Sequence, residues 1–205
     1  IARQMGLPID RLIVATNEND VLNDFFTTGK YTPRTADKTY VTSSPSMDIS
    51  KASNFERFIY LLVGKDSAKL STLWQDVNTG KGFDLTTLLP SVQGEYGFAS
   101  GRSSHADRLA TIQSVYQTDH QLIDPHTADG IKVARALRKA GEIIICAETA
   151  LPAKFSETIT EAVGNVAIAR PAATQNIESL PQYVTVLDND ASLVKAQIEQ
   201  FVQPQ

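Results

Sequence analysis

The sequence has very little cysteine and no long hydrophobic run, and each absence excludes a class of protein. Cys146 is the single cysteine among 205 residues, so no disulfide can form within the chain and a reducing cytoplasm is the expected location. No apolar run approaches the roughly 20 residues that span a bilayer. A net charge of −4 gives no bulk attraction to nucleic acid or to an anionic membrane, so neither is expected as a partner.

Familiar catalytic and nucleotide-binding motifs are missing as well. The three histidines, His105, His120 and His126, do not have the spacing to a second histidine or to cysteine that a metal site requires, so no metal is expected. The sequence has no Gly-x-Ser-x-Gly elbow, no Walker loop and no Gly-x-Gly-x-x-Gly fingerprint. Spacing alone therefore indicates only an α/β domain with polar residues at its strand ends.

What the sequence does contain is an alternation of apolar strands and amphipathic helices. Residues 12–16 and 143–147 predict buried strands, and the second is the clearest because it is apolar throughout and rich in isoleucine. Further strands are predicted near 97–100 and 183–187. Helices are predicted over 55–62, 66–77, 104–116, 153–163 and 191–202. This order favours an α/β fold with a largely parallel, partial sheet flanked by helices, and the two consecutive helices between 50 and 78 form an added helical segment.

Two features bear on the organisation of the chain. It opens on Ile1 rather than methionine, and residues 1–6 have the pattern of the last turns of a helix that ends at a glycine cap. We therefore expect residues 1–205 to be a piece of a longer protein. The polar stretch 28–50, rich in threonine and serine, is the best candidate for a hinge loop.

Five short segments resemble, in the same order, segments of threonine synthase of the fungal and proteobacterial type. They are ATNEND at 15–20, SMDIS at 46–50, NFER at 54–57, DPHTA at 124–128 and ETALPAKF at 148–155. Each is weak alone, but five in order make a specific signal. The flanking portions are compatible, so the similarity covers the whole chain and identifies it as the C-terminal part of such an enzyme.

The resemblance implies a fold, a cofactor and a reaction. The fold is the tryptophan-synthase-β-like one, fold type II of the enzymes that use pyridoxal phosphate, and the reaction converts O-phosphohomoserine and water to threonine and phosphate. The family's Schiff-base lysine and its phosphate-binding glycine loop both lie N-terminal to Ile1, and Lys154 does not match that lysine. The resemblance therefore implies that the chain alone is inactive and lacks the cofactor, and that its partner is the missing N-terminal portion.

Two other functions stay open. The first is another pyridoxal-phosphate lyase of fold type II, similar to threonine dehydratase, although the SMDIS and NFER segments argue against it. The second is a non-catalytic ligand-binding or regulatory module. An upstream segment with the lysine and the glycine loop would favour the enzyme, since a regulatory module would lack both.

The resemblance also suggests two residues for the cofactor. Thr149 follows the predicted strand 143–147, and a hydroxyl at such a position hydrogen-bonds the pyridine nitrogen in fold type II enzymes. Its alternative role is a cap for the following helix. Asn17 follows the first strand, where its amide would reach the cofactor or the substrate, and its alternative role is an Asx turn or a helix cap.

Substrate-binding candidates surround these two. Arg57 suits the substrate phosphate because a guanidinium binds phosphate through two parallel hydrogen bonds. Its alternatives are a solvated helix face and an ion pair with Asp48 or Glu56. The others expected at the substrate entrance are Asn19, Asp20, Ser46, Asp48 and Asn54, which alternatively order the loop through local hydrogen bonds. His126 is a secondary candidate for a proton carrier or a phosphate ligand, with a structural role favoured.

Overall fold

The computed structural model describes residues 1–202, and its helices and strands have the α/β character that the sequence predicts. The strands are β1 (Leu12–Thr16), β2 (Lys30–Tyr31), β3 (Phe83–Asp84) and β4 (Phe98–Arg102). The α-helices are α1 (Val21–Thr28), α2 (Phe55–Leu62), α3 (Ser67–Asn78), α4 (Leu89–Gln93), α5 (His105–Asp119), α6 (Pro125–Leu137), α7 (Ser156–Val163) and α8 (Ala191–Val202). Within residues 1–202, no helix is both long enough and apolar enough to cross a membrane.

A parallel pair of strands organises the part of the chain that carries the candidate site. β1 and β4 lie in register from Leu12 opposite Phe98 to Thr16 opposite Arg102. Helix α6 packs closely on them, because a Cβ at Gly101 would lie 2.8 Å from a methyl group of Val133. Both strands end at the same edge of the sheet, and ligands of α/β proteins bind outside that edge.

An aromatic core joins the added helices α2 and α3 to the sheet. Phe25 lies at its centre, with ring centroids 4.8 Å from Phe55 and 6.1 Å from Phe83. Phe26 stacks on Phe98 of β4, with ring centroids 4.7 Å apart. Helix α1, which contains Phe25 and Phe26, thus links the added helices to the sheet. These edge-to-face and stacked pairs add to the stabilisation that burying the rings supplies.

A two-stranded antiparallel ribbon, β2 with β3, closes the aromatic core, and it depends on a glycine. Gly82 has a φ of 70°, and a side chain there would overlap the carbonyl oxygen of Tyr31. Only glycine adopts this backbone without strain and leaves room for the facing strand. In residues 78–82, Gly82 is therefore the glycine at which a side chain would collide with the facing strand, whereas Gly80 has open space around it.

A second core lies between helices α5, α6 and α7. Ile112, Val115, Ala128 and Ile159 are buried in it. Helix α5 begins with a capping box, in which Ser104 N donates to the Asp107 carboxylate and Asp107 N donates to Ser104 Oγ. Such reciprocal caps satisfy backbone donors that a helix start leaves free, and they fix the beginning of α5 beside the end of β4.

The prediction of a strand over 143–147 is wrong. The segment has no strand pairing in the described part of the chain, and Ile143 and Ile145 are 91% and 92% exposed. Its residues nevertheless alternate between exposed and half-buried, as an extended chain does. A strand needs a neighbour to bond its backbone, and an apolar sequence alone does not supply one.

The chain divides into two compact units, residues 1–168 and residues 169–205. The second unit, described as far as Val202, contains short 3-10 turns and helix α8. The predicted strand at 183–187 is also wrong, because those residues form no strand and Tyr183 and Val186 are exposed. The hinge proposed for residues 28–50 stays a prediction.

Candidate functional site

The candidate site lies at the carboxyl edge of the sheet, defined here by residues 16–20 at the end of β1 and 102–104 at the end of β4. Ser103 N donates to Thr16 O at 2.9 Å, so the two strand ends stay together beyond the last paired residues. The loop 40–48 and the first turns of α5 and α6 meet this edge. Polar residues that lie far apart in the sequence thus come into contact.

Asp48 is the centre of a hydrogen-bond network that ties the loop to the carboxyl edge. Its Oδ1 accepts from Asn17 Nδ2 at 2.8 Å, from Asn19 Nδ2 at 3.0 Å and from Thr42 Oγ1 at 2.7 Å. Its Oδ2 accepts from Thr42 N at 2.8 Å. Hydrogen bonds to an ionised carboxylate are stronger than those between neutral groups, so Asp48 fixes the loop firmly.

The amides of Asn17 and Asn19 are engaged within the chain. Asn19 N donates to Asn17 Oδ1 at 2.8 Å, which is an Asx turn. Asn19 Oδ1 accepts from Tyr40 N and its Nδ2 donates to Tyr40 O, so the side chain holds the loop as a strand would. The Asx turn that the sequence offered as the alternative role of Asn17 is therefore present. Direct binding of cofactor or substrate by these amides stays a prediction.

Asp20 is held by two arginines. It accepts from Arg34, and Arg102 Nη1 donates to its Oδ2 at 3.1 Å. Burial raises the pKa of Asp20, but the hydrogen bond and charge of Arg34 outweigh it and bring the pKa below its usual 3.8. Asp20 is thus ionised at neutral pH, and its assignment to the substrate stays a prediction.

A buried arginine connects the elements beneath the edge. The side chain of Arg108 on α5 is 0% exposed, as is that of its partner Asp129 on α6. Arg108 Nε donates to Asp129 Oδ1 at 2.9 Å and Nη2 donates to Glu18 Oε2 at 2.9 Å, while Nη1 donates to Ser43. One guanidinium thus joins two helices, the turn after β1 and the loop.

Sequence reasoning missed this arginine, although a signal was present. Arg108 precedes the buried Ile112 and Val115 by four and seven residues, so it lies on the buried stripe of α5. A charge on such a stripe indicates a buried partner. That partner, Asp129, has one oxygen, Oδ2, without a hydrogen-bond partner of good geometry in the described residues. Burial raises the pKa of Asp129, and the charge of Arg108 opposes the rise only in part.

His126 has both ring nitrogens engaged. Nδ1 lies 2.8 Å from Asp124 Oδ1, and Nε2 accepts from Ser46 N at 3.1 Å. The edge of the ring meets Phe155, with centroids 4.8 Å apart. Burial raises the pKa of Asp124, but hydrogen bonds from His126 and Thr127 outweigh it and lower the pKa below its usual value. The catalytic role considered for His126 stays a prediction.

The segment that contains Thr149 runs towards the same edge. Glu142 pairs with Arg11, which directly precedes β1. Cys146 Sγ lies 3.9 Å from Thr127 O, in the first turn of α6. From Glu142 to Cys146 the segment therefore runs in the direction of β1. Thr149, three residues further on, is exposed, and its position at the carboxyl edge stays a prediction.

The remaining substrate candidates are exposed. Ser46 lies in the 3-10 turn Pro45–Met47 at the site. Arg57 and Asn54 lie in and before α2, and within residues 1–202 neither side chain forms a hydrogen bond or an ion pair. Their binding roles stay predictions. No group of three potential metal ligands occurs in the described part of the chain.

Two clefts lie outside the edge. One of about 450 Å³ is lined by the β2–β3 ribbon and α3. Its charged lining residues pair with one another, Lys30 with Asp84 and Lys81 with Asp76. The other, of about 290 Å³, lies between α6 and residues 142–146 and includes Cys146. Burial and the charge of Asp124 raise the pKa of the Cys146 thiol, so it is protonated and unreactive.

Comparison with known proteins gives one consistent result. Residues 127–198 match the family described as "Threonine synthase, C-terminal". The chain is 52% identical to the threonine synthase of Methylobacillus glycogenes over 204 residues, which cover 98% of this chain and 42% of that protein. It is 54% identical to the threonine synthase of Corynebacterium glutamicum over 201 residues, with 97% and 42% covered. The chain thus spans less than half the length of these relatives.

Solved structures agree. The pyridoxal-phosphate-bound threonine synthase of Brucella melitensis superposes with a TM-score of 0.85 at 36% identity, over 99% of this chain and 43% of that one. The yeast threonine synthase gives a TM-score of 0.80 at 31% identity, over 97% and 43%. The predicted fold, a part of the fold type II architecture, is confirmed. The chain belongs to the threonine synthase family and corresponds to its C-terminal portion.

Proposed function

We propose that this chain is the C-terminal part of an enzyme that uses pyridoxal phosphate to convert O-phosphohomoserine and water to threonine and phosphate. The observation that carries the proposal is the convergence of four family-like segments. Asn17 in 15–20 contacts Asp48 in 46–50, and Ser46 contacts His126 in 124–128. His126 in turn meets Phe155 in 148–155. Segments far apart in sequence thus build one edge of a site.

Thr149 is the residue that we assign to the cofactor. Thr149 is exposed, and its side chain forms no hydrogen bond with another residue among 1–202, so a neutral hydroxyl is available for a pyridine nitrogen. Pyridoxal phosphate, when bound, supplies an electron sink for carbanions of the substrate. Asn17 is placed differently, because its amide is engaged with Asp48 and Ser44. We propose that Asn17 holds the loop at the edge.

For the substrate, we assign the phosphate to Arg57 and the entrance to Ser46 and Asn54. These side chains are exposed and point to no partner in the described chain. Asp48, Asn19 and Asp20 then act indirectly, because their polar atoms already order the loop and the turn after β1. A free guanidinium is the group best suited to the two parallel hydrogen bonds that a phosphate accepts.

The proposed partner is an N-terminal portion of the same polypeptide. Parallel sheets are normally buried on both faces and have more than two strands. Here β1 and β4 form only a pair, and residues 12–15 of β1 are half-buried. Ile143 and Ile145 are also exposed, in a segment whose burial alternates as in an extended chain. We propose that added strands bond residues 143–147 and cover these isoleucines. The lysine that carries the cofactor would lie in that portion.

The test is reconstitution. The chain is produced with and without the upstream portion of its complete gene, with pyridoxal phosphate added. The complete protein should show visible cofactor absorbance and should release phosphate from O-phosphohomoserine, whereas the 205-residue chain should do neither. Phosphate release by the chain alone would contradict the assignment of the lysine. Turnover of threonine without use of O-phosphohomoserine would favour the dehydratase-like alternative, and absence of both activities would favour a regulatory module.

A matched pair of variants tests Thr149 in the complete protein. Thr149→Val removes the hydroxyl at nearly constant shape and should shift the absorbance band and lower turnover about tenfold to a hundredfold, as the loss of a hydrogen bond in the site requires. Thr149→Ser retains the hydroxyl and should stay close to the parent. Equal spectra and rates for the valine variant would contradict the cofactor role.

A further inference from the structure

One backbone N–H in the turn Pro45–Met47, that of Ser46, has its hydrogen-bond partner outside the loop. The first N–H groups of a helical turn have no partner within the turn. Pro45 has no N–H, and Met47 N donates to Ser44 O at 3.1 Å. Ser46 N donates outward to His126 Nε2 at 3.1 Å. A side chain of α6 therefore satisfies the one donor of the turn that the loop leaves free.

The contacts determine which nitrogen of His126 carries hydrogen. Nδ1 faces Asp124 Oδ1 at 2.8 Å, and this buried carboxylate also accepts from His126 N and Thr127 N. A carboxylate that caps a helix accepts hydrogen bonds and does not donate, so Nδ1 bears the hydrogen. Nε2 faces an N–H group and must present its lone pair. Only the neutral ring with hydrogen on Nδ1 satisfies both contacts.

We propose that His126 is a positioning residue that holds Ser46 at the carboxyl edge, and that it does so only as the neutral imidazole. Protonation puts an N–H of Nε2 against the N–H of Ser46, which breaks that contact and leaves the Asp124 contact in place. The proposal extends the proposed function, since Ser46 is a residue that we assign to the substrate entrance. His126 then acts on the substrate through the loop.

The effect is confined to the turn. Asp48 holds Thr42 and the asparagines after β1 through its carboxylate, which needs no histidine. Ser43 Oγ lies 2.8 Å from His105 Nδ1, but a hydroxyl can donate or accept, so this contact survives either state of His105. The two histidines that meet the loop therefore respond differently to acid.

The groups that face His126 are few. They are Asp124 from its own helix, the Ser46 peptide from the loop and the uncharged Phe155 ring from the turn Pro152–Phe155. The Cys146 thiol lies near Asp124 and is neutral, since burial and that carboxylate raise its pKa. Among the described residues, Asp124 is thus the charged group that the ring contacts, and this contact involves Nδ1 and not the Nε2 that faces Ser46.

The decisive test uses the complete protein labelled with nitrogen-15 and needs no activity. Ring-nitrogen chemical shifts of His126 at neutral pH should identify Nε2 as the nitrogen without hydrogen. Amide exchange at Ser46, corrected for its intrinsic pH dependence, should lose about tenfold of its protection when His126 is protonated. Hydrogen on Nε2 at neutral pH, or equal protection before and after protonation, would overturn the proposal without any variant.

Three variants sharpen the test. His126→Ala should lower the protection of Ser46 about tenfold at neutral pH. His126→Gln places an amide oxygen near the position of Nε2, so protection should largely persist and become independent of pH. His120→Asn is the control, because His120 is exposed with a φ of 55°, which asparagine tolerates, and it should match the parent. Undiminished protection in His126→Ala would overturn the proposal.

Kinetics separate this proposal from the proposed function. In the complete protein, acid should raise the KM for O-phosphohomoserine of the parent at least several-fold more than that of His126→Gln, with kcat less affected. If Ser46 exchange behaves as expected but no O-phosphohomoserine is consumed, the positioning role stands and the proposed function fails. Identical KM profiles for parent and glutamine variant would overturn the link between His126 and the substrate entrance.

Discussion

The buried pair of Arg108 and Asp129 gives the most demanding test of the structure. Both side chains are 0% exposed, and Arg108 also binds Glu18 and Ser43. Arg108→Met keeps the apolar stem but leaves Asp129 as a buried charge without its counterion. Removing one partner of such a pair costs about 3–5 kcal/mol, so we expect a loss of that size in the free energy of unfolding at neutral pH.

The reverse substitution should cost less, and the structure supplies the reason. Asp129→Asn leaves Arg108 bonded to Glu18, which still balances its charge. We expect a loss of about 1–3 kcal/mol, the range for an unsatisfied buried group. The double variant Arg108→Met/Asp129→Asn has no charge at the fully buried position 129, although the part-exposed Glu18 loses its arginine. It should therefore be more stable than the sum of the two single losses predicts.

The pH dependence provides a second check on the same pair. Burial already raises the pKa of Asp129 in the folded parent, and loss of Arg108 raises it further. A folded-state pKa above the unfolded value contributes stability at low pH that is lost as pH rises through it. The deficit of Arg108→Met relative to the parent should therefore shrink as the pH falls from 7 towards 4.

The assay is urea unfolding of the 205-residue chain, followed by circular dichroism and by the fluorescence of its single tryptophan, Trp74. Arg135→Met is the control, since Arg135 on α6 is exposed and its hydrogen bond is to Ser114. It should change stability by less than about 0.5 kcal/mol. A loss below about 1 kcal/mol for Arg108→Met, or strictly additive losses in the double variant, would refute the reasoning.

Three further predictions follow from single positions. Gly82→Ala should lower the free energy of unfolding by more than about 2 kcal/mol, because the new Cβ overlaps the Tyr31 carbonyl. Gly64→Ala, at a φ of 75° with open space around it, should lower it by only about 1–2 kcal/mol through backbone strain. Equal losses in urea unfolding would contradict the overlap. Asp124→Ala should cost about 2 kcal/mol at pH 7 through loss of the α6 cap. Because the folded pKa of Asp124 is lowered, that stability is complete above pH 3.8 and should disappear as the pH falls below it; a deficit that persists in acid would contradict this. Ile145→Thr should leave the isolated chain unchanged but destabilise the complete protein by about 1–2 kcal/mol, as thermal unfolding of both would reveal.

The sequence predicted the helices well and the strands unevenly. The stripes of α2, α3 and α5 follow from hydrophobic residues three and four apart, and those helices form where the pattern indicates. β1 forms as predicted, yet the segment 143–147, the clearest strand prediction in the sequence, forms no strand. A helix bonds its own backbone within four residues, but a strand depends on a second chain segment, so apolar composition did not decide the outcome.

The contacts within the candidate site could not be predicted from the sequence. Polar residues at the end of β1 indicated the carboxyl edge, and Asn17 contacts Asp48 of the loop there. The contacts among them span 31 residues from Asn17 to Asp48 and 80 from Ser46 to His126. No spacing rule reaches that far. Arg108 was missed because its partners, Glu18 and Asp129, lie on other elements.

The amino-acid sequence by itself determined where helices begin, which glycines turn the chain and which segments match threonine synthase, because these depend on neighbouring residues. Only the tertiary structure decided that Asp48 gathers two asparagines, that Arg108 is buried against Asp129 and that His126 presents a lone pair to Ser46. The physical reason is that a polar side chain can form hydrogen bonds with many local partners or with water. When distant elements pack together they exclude that water, and the side chain must then bond the partner that the packing brings to it.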